Sequence, residues 1–235
     1  SMTVFASVNL LSLLQILAIA GIVVGEMAAW AQTELKRTLA YSSIGQIGII
    51  LFALSLGSQL GGQAALGHLL MHTGAKSVLF LVAGYFIVRT GSHEIARYRG
   101  LAKRMPISSV LFTLAALSLL GAPPFLGFFT KFRVIAAAGA APFMGTAGLA
   151  ITWLGIVAIL FGTVLEGAYL FRIVRTLYDG TPEDAFAAGE GRAEMDAPGL
   201  VAVALFTALL VFGALALPAI DGVVNPAASA LVSLF

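Results

Sequence analysis

The stretch Thr38-Leu39-Ala40-Tyr41-Ser42-Ser43-Ile44-Gly45-Gln46-Ile47-Gly48-Ile49-Ile50-Leu51-Phe52-Ala53-Leu54-Ser55 opens a run, residues 38–75, that contains no Asp, Glu, Lys or Arg. A helix needs about 20 apolar residues to cross a hydrocarbon core roughly 30 Å thick. Residues 1–25, 105–130, 134–165 and 197–220 are equally free of charge. Across 235 residues the chain is 60% hydrophobic and 10% charged, less than half the roughly 25% charged residues of an ordinary soluble domain. Its mean hydropathy is +1.00. A soluble enzyme, a secreted disulfide scaffold and a disordered regulator are excluded. The chain reads as a polytopic integral membrane protein.

There is no cysteine, which removes disulfides, thiolate metal sites and cysteine-ligated iron–sulfur clusters. With 13 Lys+Arg against 11 Asp+Glu the net charge is +2, and no basic stripe with interleaved aromatics invites nucleic acid. No basic residues precede the first apolar run, so it is not read as a secretory signal.

Backbone groups in lipid must find partners within their own segment, and alternating strand patterns are absent, so the expected fold is all-α. Six helices are expected: Val4 to Trp30, Leu39 to Leu56, Gly62 to Arg89, Ile107 to Ala138, Gly145 to Tyr178 and Gly199 to Leu217. The fourth is broken at Gly121-Ala122-Pro123-Pro124, because two prolines remove two backbone donors. The first, third and fifth turns carry the basic residues Lys36, Arg37, Arg89, Arg97, Arg99, Lys103, Arg104, Arg172, Arg175 and Arg192, while the second and fourth carry no charge. The positive-inside rule puts the basic turns in the cytoplasm. Residues 1–235 are expected to form one transmembrane domain, with 179–197 as a polar cytoplasmic loop.

Ionisable groups at membrane depth are functional hypotheses by default. Lys76 lies near the middle of the third helix, with His68 and His72 at i−8 and i−4 on the same stripe. Such a ladder suits proton handling, since imidazole titrates near neutrality; alternatively the histidines serve as hydrogen-bonding glue between helices. Zinc at His68 and His72 lacks a third ligand and is repelled by Lys76, so no metal is expected. Lys131 follows Pro124 by two turns, beyond a break of the kind that lines ion sites. Glu166, inside the fifth helix, either accepts a proton from the interior or pairs with an interior lysine. Glu26, a turn from Trp30, is read as a structural or interfacial acid. Gly45 and Gly48 are read as packing positions, and Ser42, Ser43 and Gln46 as polar groups that hold water or bond helices.

Three stretches, residues 34–48 (ELKRTLAYSSIGQIG), 68–76 (HLLMHTGAK) and 120–131 (LGAPPFLGFFTK), resemble the antiporter-like subunits of respiratory complex I, Mrp-type cation/proton antiporters and membrane-bound hydrogenases. The resemblance covers about residues 20 to 178. It implies a proton-translocating membrane subunit in which Lys76 and Lys131 are relay groups and His68 and His72 intermediates, with Lys36 and Arg37 at a structural junction. The Gln46 position is often histidine in relatives. Members carry two inverted halves, and this chain resembles the second. The first is expected on a preceding segment or another polypeptide, within a complex of further membrane subunits. The implied location is the plasma membrane of a bacterium or archaeon. No cofactor-ligating pattern appears, so redox chemistry in a complex such as NADH:quinone oxidoreductase is expected on other chains. Two further readings stand beside proton translocation. One is a sodium/proton antiporter module that binds the cation at Glu166 and carbonyls freed at the break. The other is a structural subunit whose buried charges merely pair.

Overall fold

The computed structural model describes residues 10–140, 145–180 and 194–233. These form eight α-helices: α1 Leu10–Trp30, α2 Leu35–Ser55, α3 Gln59–Thr90, α4 Pro106–Leu120, α5 Leu126–Ala140, α6 Gly145–Tyr178, α7 Ala197–Phe212 and α8 Leu217–Val232. Two 3-10 turns, Ile95–Tyr98 and Leu101–Lys103, join α3 to α4, and among the described residues there is no strand. The polar loop expected over 179–197 lies outside the described residues from 181 to 193.

Among the described residues, helices α1, α2, α3 and α6 are each long and apolar enough to cross a membrane, and the total there reaches six if each bent pair counts as one span. One such pair is α7 with α8, bent by 92°. Helix α8 lies beyond the expected end at Leu217. Pro218 stands in its first turn, where a proline forfeits only a donor that is unsatisfied anyway. The fourth expected helix is interrupted as its prolines required, into α4 and α5. Helix α2 starts earlier than Leu39, so Lys36 and Arg37 stand in its first turn. Its start is tied by Leu35 N to His93 O at 3.0 Å and by Ile95 N to Thr33 O at 2.9 Å.

Those bonds place the first and third turns side by side. The end of α6 joins them through Arg172 to Gln32 O at 2.8 Å and Gly100 N to Thr176 O at 3.1 Å. Glu194 returns to the same end, where its carboxylate accepts from Ile107 N at 2.7 Å and Ser108 Oγ at 2.6 Å. A carboxylate there satisfies orphan donors at the N-terminus of α4 and suits the helix dipole. The basic turns thus share one end of the bundle, as the orientation rule demands.

Helix α3 touches α2, α4, α5, α7 and α8, and so carries its buried face through the centre. Helices α1 and α2 meet through glycine. A Cβ on Gly25 would collide with the amide nitrogen of Gly45, and one on Gly48 would lie 2.8 Å from Ala18 O. Lipid tails are as apolar as leucine, so close backbone approach supplies the packing that burial supplies in water. Leu17, Val24, Val88, Phe132, Leu160 and Phe161 point outward, as a lipid-facing surface requires.

The cysteine-free chain makes the orientation directly measurable. A Lys103→Cys variant is expected to react with a membrane-impermeant maleimide only from the cytoplasmic side, and Gln59→Cys only from the opposite side. The reverse pattern in right-side-out and inverted vesicles would contradict this topology.

Candidate functional site

The break between α4 and α5 organises the site. Gly121 ends α4 with φ +86°, in the left-handed region, where an L side chain is strained. Its amide bonds back to Leu117 O at 3.2 Å and Ser118 O at 3.0 Å. A helix end leaves its last carbonyls without in-helix donors, and Lys131 on α5 takes one of them. Its Nζ donates to Leu120 O at 3.0 Å and to Glu166 Oε2 on α6 at 2.5 Å. Lys131 is 6% exposed and Glu166 1%, so each serves the other in place of water. The adjacent cation does not compete. Arg133 turns away to Asp221 on α8, with paired contacts of 2.6 and 2.9 Å.

Glu166 extends the network across three further helices. Gln46 Nε2 on α2 donates to Glu166 Oε1 at 2.9 Å. This turns the Gln46 carbonyl toward His68 Nε2 on α3, at 3.0 Å, while His68 Nδ1 lies 3.0 Å from Thr130 Oγ1 on α5. A carbonyl only accepts, so a neutral His68 carries its proton on Nε2 and accepts from Thr130 at Nδ1. The Thr130 hydroxyl has a second acceptor in Gly127 O at 3.1 Å. The network therefore has a second self-consistent setting. If Glu166 is protonated it becomes a donor, the Gln46 amide turns over, and the His68 proton moves to Nδ1 facing Thr130. One buried amide thus ties the state of a carboxyl on α6 to the tautomer of a histidine on α3.

Lys76 is 7% exposed and reaches sideways rather than along its own helix. Its Nζ donates to Leu39 O at 2.8 Å and to the Ser42 hydroxyl, both on α2. His72, 8% exposed, has no hydrogen-bond partner for its Nδ1 among the described residues. The residues expected to form one stripe do share the buried face of α3, but His68 and Lys76 are each engaged by α2. Glu166 takes the lysine-paired option left open by its position. Among the described residues no group of three or more His, Asp or Glu is arranged to hold a metal.

Of the two readings of Glu26, structural or interfacial, the structure excludes the interfacial one. Glu26 is 1% exposed and accepts from the Tyr169 hydroxyl at 2.9 Å. Its proximity to the chain's Trp30 suggested the interface; the tight α1–α2 glycine contact buries it instead. The one sequence signal that could have found it is the pair of glycines, Gly25 and Gly45, at compatible positions on neighbouring helices.

The family model for "NADH:quinone oxidoreductase/Mrp antiporter, TM" matches residues 1–165. NADH-quinone oxidoreductase subunit N of Desulforudis audaxviator is 36% identical over 171 residues, which cover 71% of this chain and 32% of that relative. A chain of the membrane-bound sulfane sulfur reductase, an archaeal respiratory membrane complex, is 31% identical with a TM-score of 0.79, covering 95% of this chain and 42% of its own length. A chain of the Mrp complex from Dietzia sp. DQ12-45-1b has the same fold, with a TM-score of 0.77 at 24% identity over 95% of this chain and 48% of that one. The chain spans about a third of the length of the curated relatives it matches.

Removing one partner of a buried ion pair strands the other charge. Lys131→Ala is expected to destabilise the protein by about 3–5 kcal/mol, and Lys131→Ala/Glu166→Ala by clearly less than the sum of the two single changes. Thermal unfolding of the three variants in detergent checks this. Additive losses would contradict a direct pair.

Proposed function

The chain belongs to the NADH:quinone oxidoreductase/Mrp antiporter transmembrane family, and from that premise we propose that it works as a proton-translocating, antiporter-like subunit of a multi-subunit membrane complex. The observation that carries this reading is the buried Lys131–Glu166 pair at a broken helix, linked by Gln46 to His68. A membrane bundle needs no such groups to stand, and each one is costly to insert.

In this reading Lys76 and Lys131 exchange proton charge, with His68, His72 and Glu166 as the groups through which it passes. Two ammonium groups in a low-dielectric interior repel each other. Charging one therefore favours discharging the other, and a conformational signal from a neighbouring subunit can be read as a shift of charge along the chain. The partners are other membrane subunits, among them the part corresponding to the first half of the family's pattern. Electron transfer belongs to other chains, and the setting is the plasma membrane of a bacterium or archaeon.

A second reading, sodium/proton exchange, is favoured by one observation. At the break, Glu166 Oε2 and Leu120 O converge as oxygen ligands on a single cationic point, the Lys131 ammonium. Hard cations take oxygen donors of this kind. A sodium ion would have to displace that ammonium, so exchange would be competitive between the two.

Proton flux in proteoliposomes of the complete complex tests both. Lys76→Ala and Lys131→Ala are expected to reduce flux to background with assembly intact and with no dependence on sodium. Wild-type flux in both variants would overturn the relay. Flux that requires sodium and is lost in Glu166→Gln would establish exchange instead.

A further inference from the structure

We propose that Ser42 and Tyr169 form a proton path from Lys76 to Glu26, whose charge then acts on the Lys131–Glu166 pair, a role that rests on the relay reading and adds a route to it. The path is built from contacts across four helices. Lys76 on α3 donates to the Ser42 hydroxyl on α2. The Ser42 hydrogen goes to Leu39 O at 3.2 Å, and the Tyr169 hydroxyl on α6 is a neighbour toward which it can turn. Tyr169 donates to Glu26 Oε2 on α1 at 2.9 Å. All four side chains are buried.

Three features single this set out from ordinary helix-bonding groups. The first is the room made for the carboxylate. A Cβ on Gly45 would collide with Glu26 Oε1, and one on Gly162 would lie 3.2 Å from Glu26 Cγ. Two helices give up their side chains where the Glu26 side chain lies. The second is the charge count of the interior, where Lys76, Lys131, Glu26 and Glu166 are all buried. Lys131 and Glu166 are in contact, whereas Lys76 and Glu26 are separated by two hydroxyl groups, the groups that pass protons without holding charge. The third is the alternative route along α3. Among the described residues no hydrogen bond joins His72 to His68 or to Lys76, and both of those reach across to α2 instead.

The transfer balances in protons. Lys76 Nζ loses one to Ser42 Oγ, Ser42 gives its own to Tyr169 Oη, and Tyr169 gives its own to Glu26 Oε2. Lys76 ends as a neutral amine and Glu26 as a neutral acid, and each hydroxyl again holds one proton. Glu26 lies within electrostatic range of Glu166, Lys131 and Lys76, so its change of charge is felt at the second pair. Ser42 is the rotor of the path. Its hydrogen has a competing acceptor in Leu39 O at 3.2 Å, and the path is open only when the hydroxyl points to Tyr169.

The test is proton flux of the complete complex in proteoliposomes, with Tyr169→Phe, Glu26→Gln, Ser42→Ala and Lys76→Ala side by side. Phenylalanine keeps the ring and deletes only the hydroxyl. Flux is expected to fall on the order of 100-fold in Tyr169→Phe, the lower range for loss of a positioned proton-transfer group, and comparably in Glu26→Gln. Difference infrared spectra taken on energisation should show a carboxylic-acid band in wild type that is missing from Glu26→Gln and lost in Tyr169→Phe. A merely structural tyrosine would leave that band in place. Wild-type flux in Tyr169→Phe, or in Ser42→Ala should the first variant fail to assemble, would overturn the path while an inactive Lys76→Ala leaves the relay standing. Wild-type flux in Lys76→Ala would overturn the relay and the path together.

Discussion

A charged side chain carried to the centre of a bilayer costs about 2.5–3.5 kcal/mol on insertion scales, and the cost falls only where other protein groups do the work of water. Lys131 shows how this chain meets that constraint. Its ammonium is held between a carboxylate and a backbone carbonyl, and the carbonyl is available only because α4 stops at Leu120. The helix break, the left-handed glycine that ends it and the acid on α6 are thus parts of one arrangement. Take away the break, and the lysine loses one of its two acceptors. Take away Glu166, and the ammonium loses the carboxylate in contact with it.

The same constraint explains why the polar groups of α3 look outward to other helices. Residues four apart on a helix are neighbours along its surface, but His68 and Lys76 point toward bonding groups on the helix that packs against that surface. Helix α2 supplies them: Gln46 for His68, and Ser42 with Leu39 O for Lys76. Close approach of α2 to α1 through Gly25, Gly45 and Gly48 brings Glu26 into the same interior. Small residues here are packing positions, as their composition implied, and their consequence is a place for a buried acid.

Much of this was legible before the structure. Uncharged runs delimit the membrane helices, Pro123 and Pro124 mark the break, and Lys76, Lys131 and Glu166 announce themselves as charges inside apolar sequence. Helical periodicity puts His68, His72 and Lys76 on one face, and they are indeed buried together. What periodicity does not contain is the identity of the facing helix, so the lateral bonding of His68 through Gln46 and the partner of Glu166 had to come from three dimensions. Of the two readings of Glu26, structural or interfacial, the interfacial one fails because distance from a helix end measures depth along one helix, whereas its burial is set by α2 and α6. Helix α8 extends past the uncharged run of residues 197–220, with Asp221, Asn225 and Pro226 inside it, so length and apolarity alone do not mark it.

The central claim is that the buried lysines act by releasing and regaining protons, beyond merely supplying positive charge. Arginine separates the two, since it keeps the charge and its pairing with a carboxylate but does not deprotonate in proteins. Proton flux through the assembled complex carrying Lys131→Arg, and separately Lys76→Arg, is therefore the most direct measurement. The account predicts assembled complexes in which flux is lost. Assembled complexes with wild-type flux in both variants would contradict it, because fixed positive charge would then be all that these positions supply.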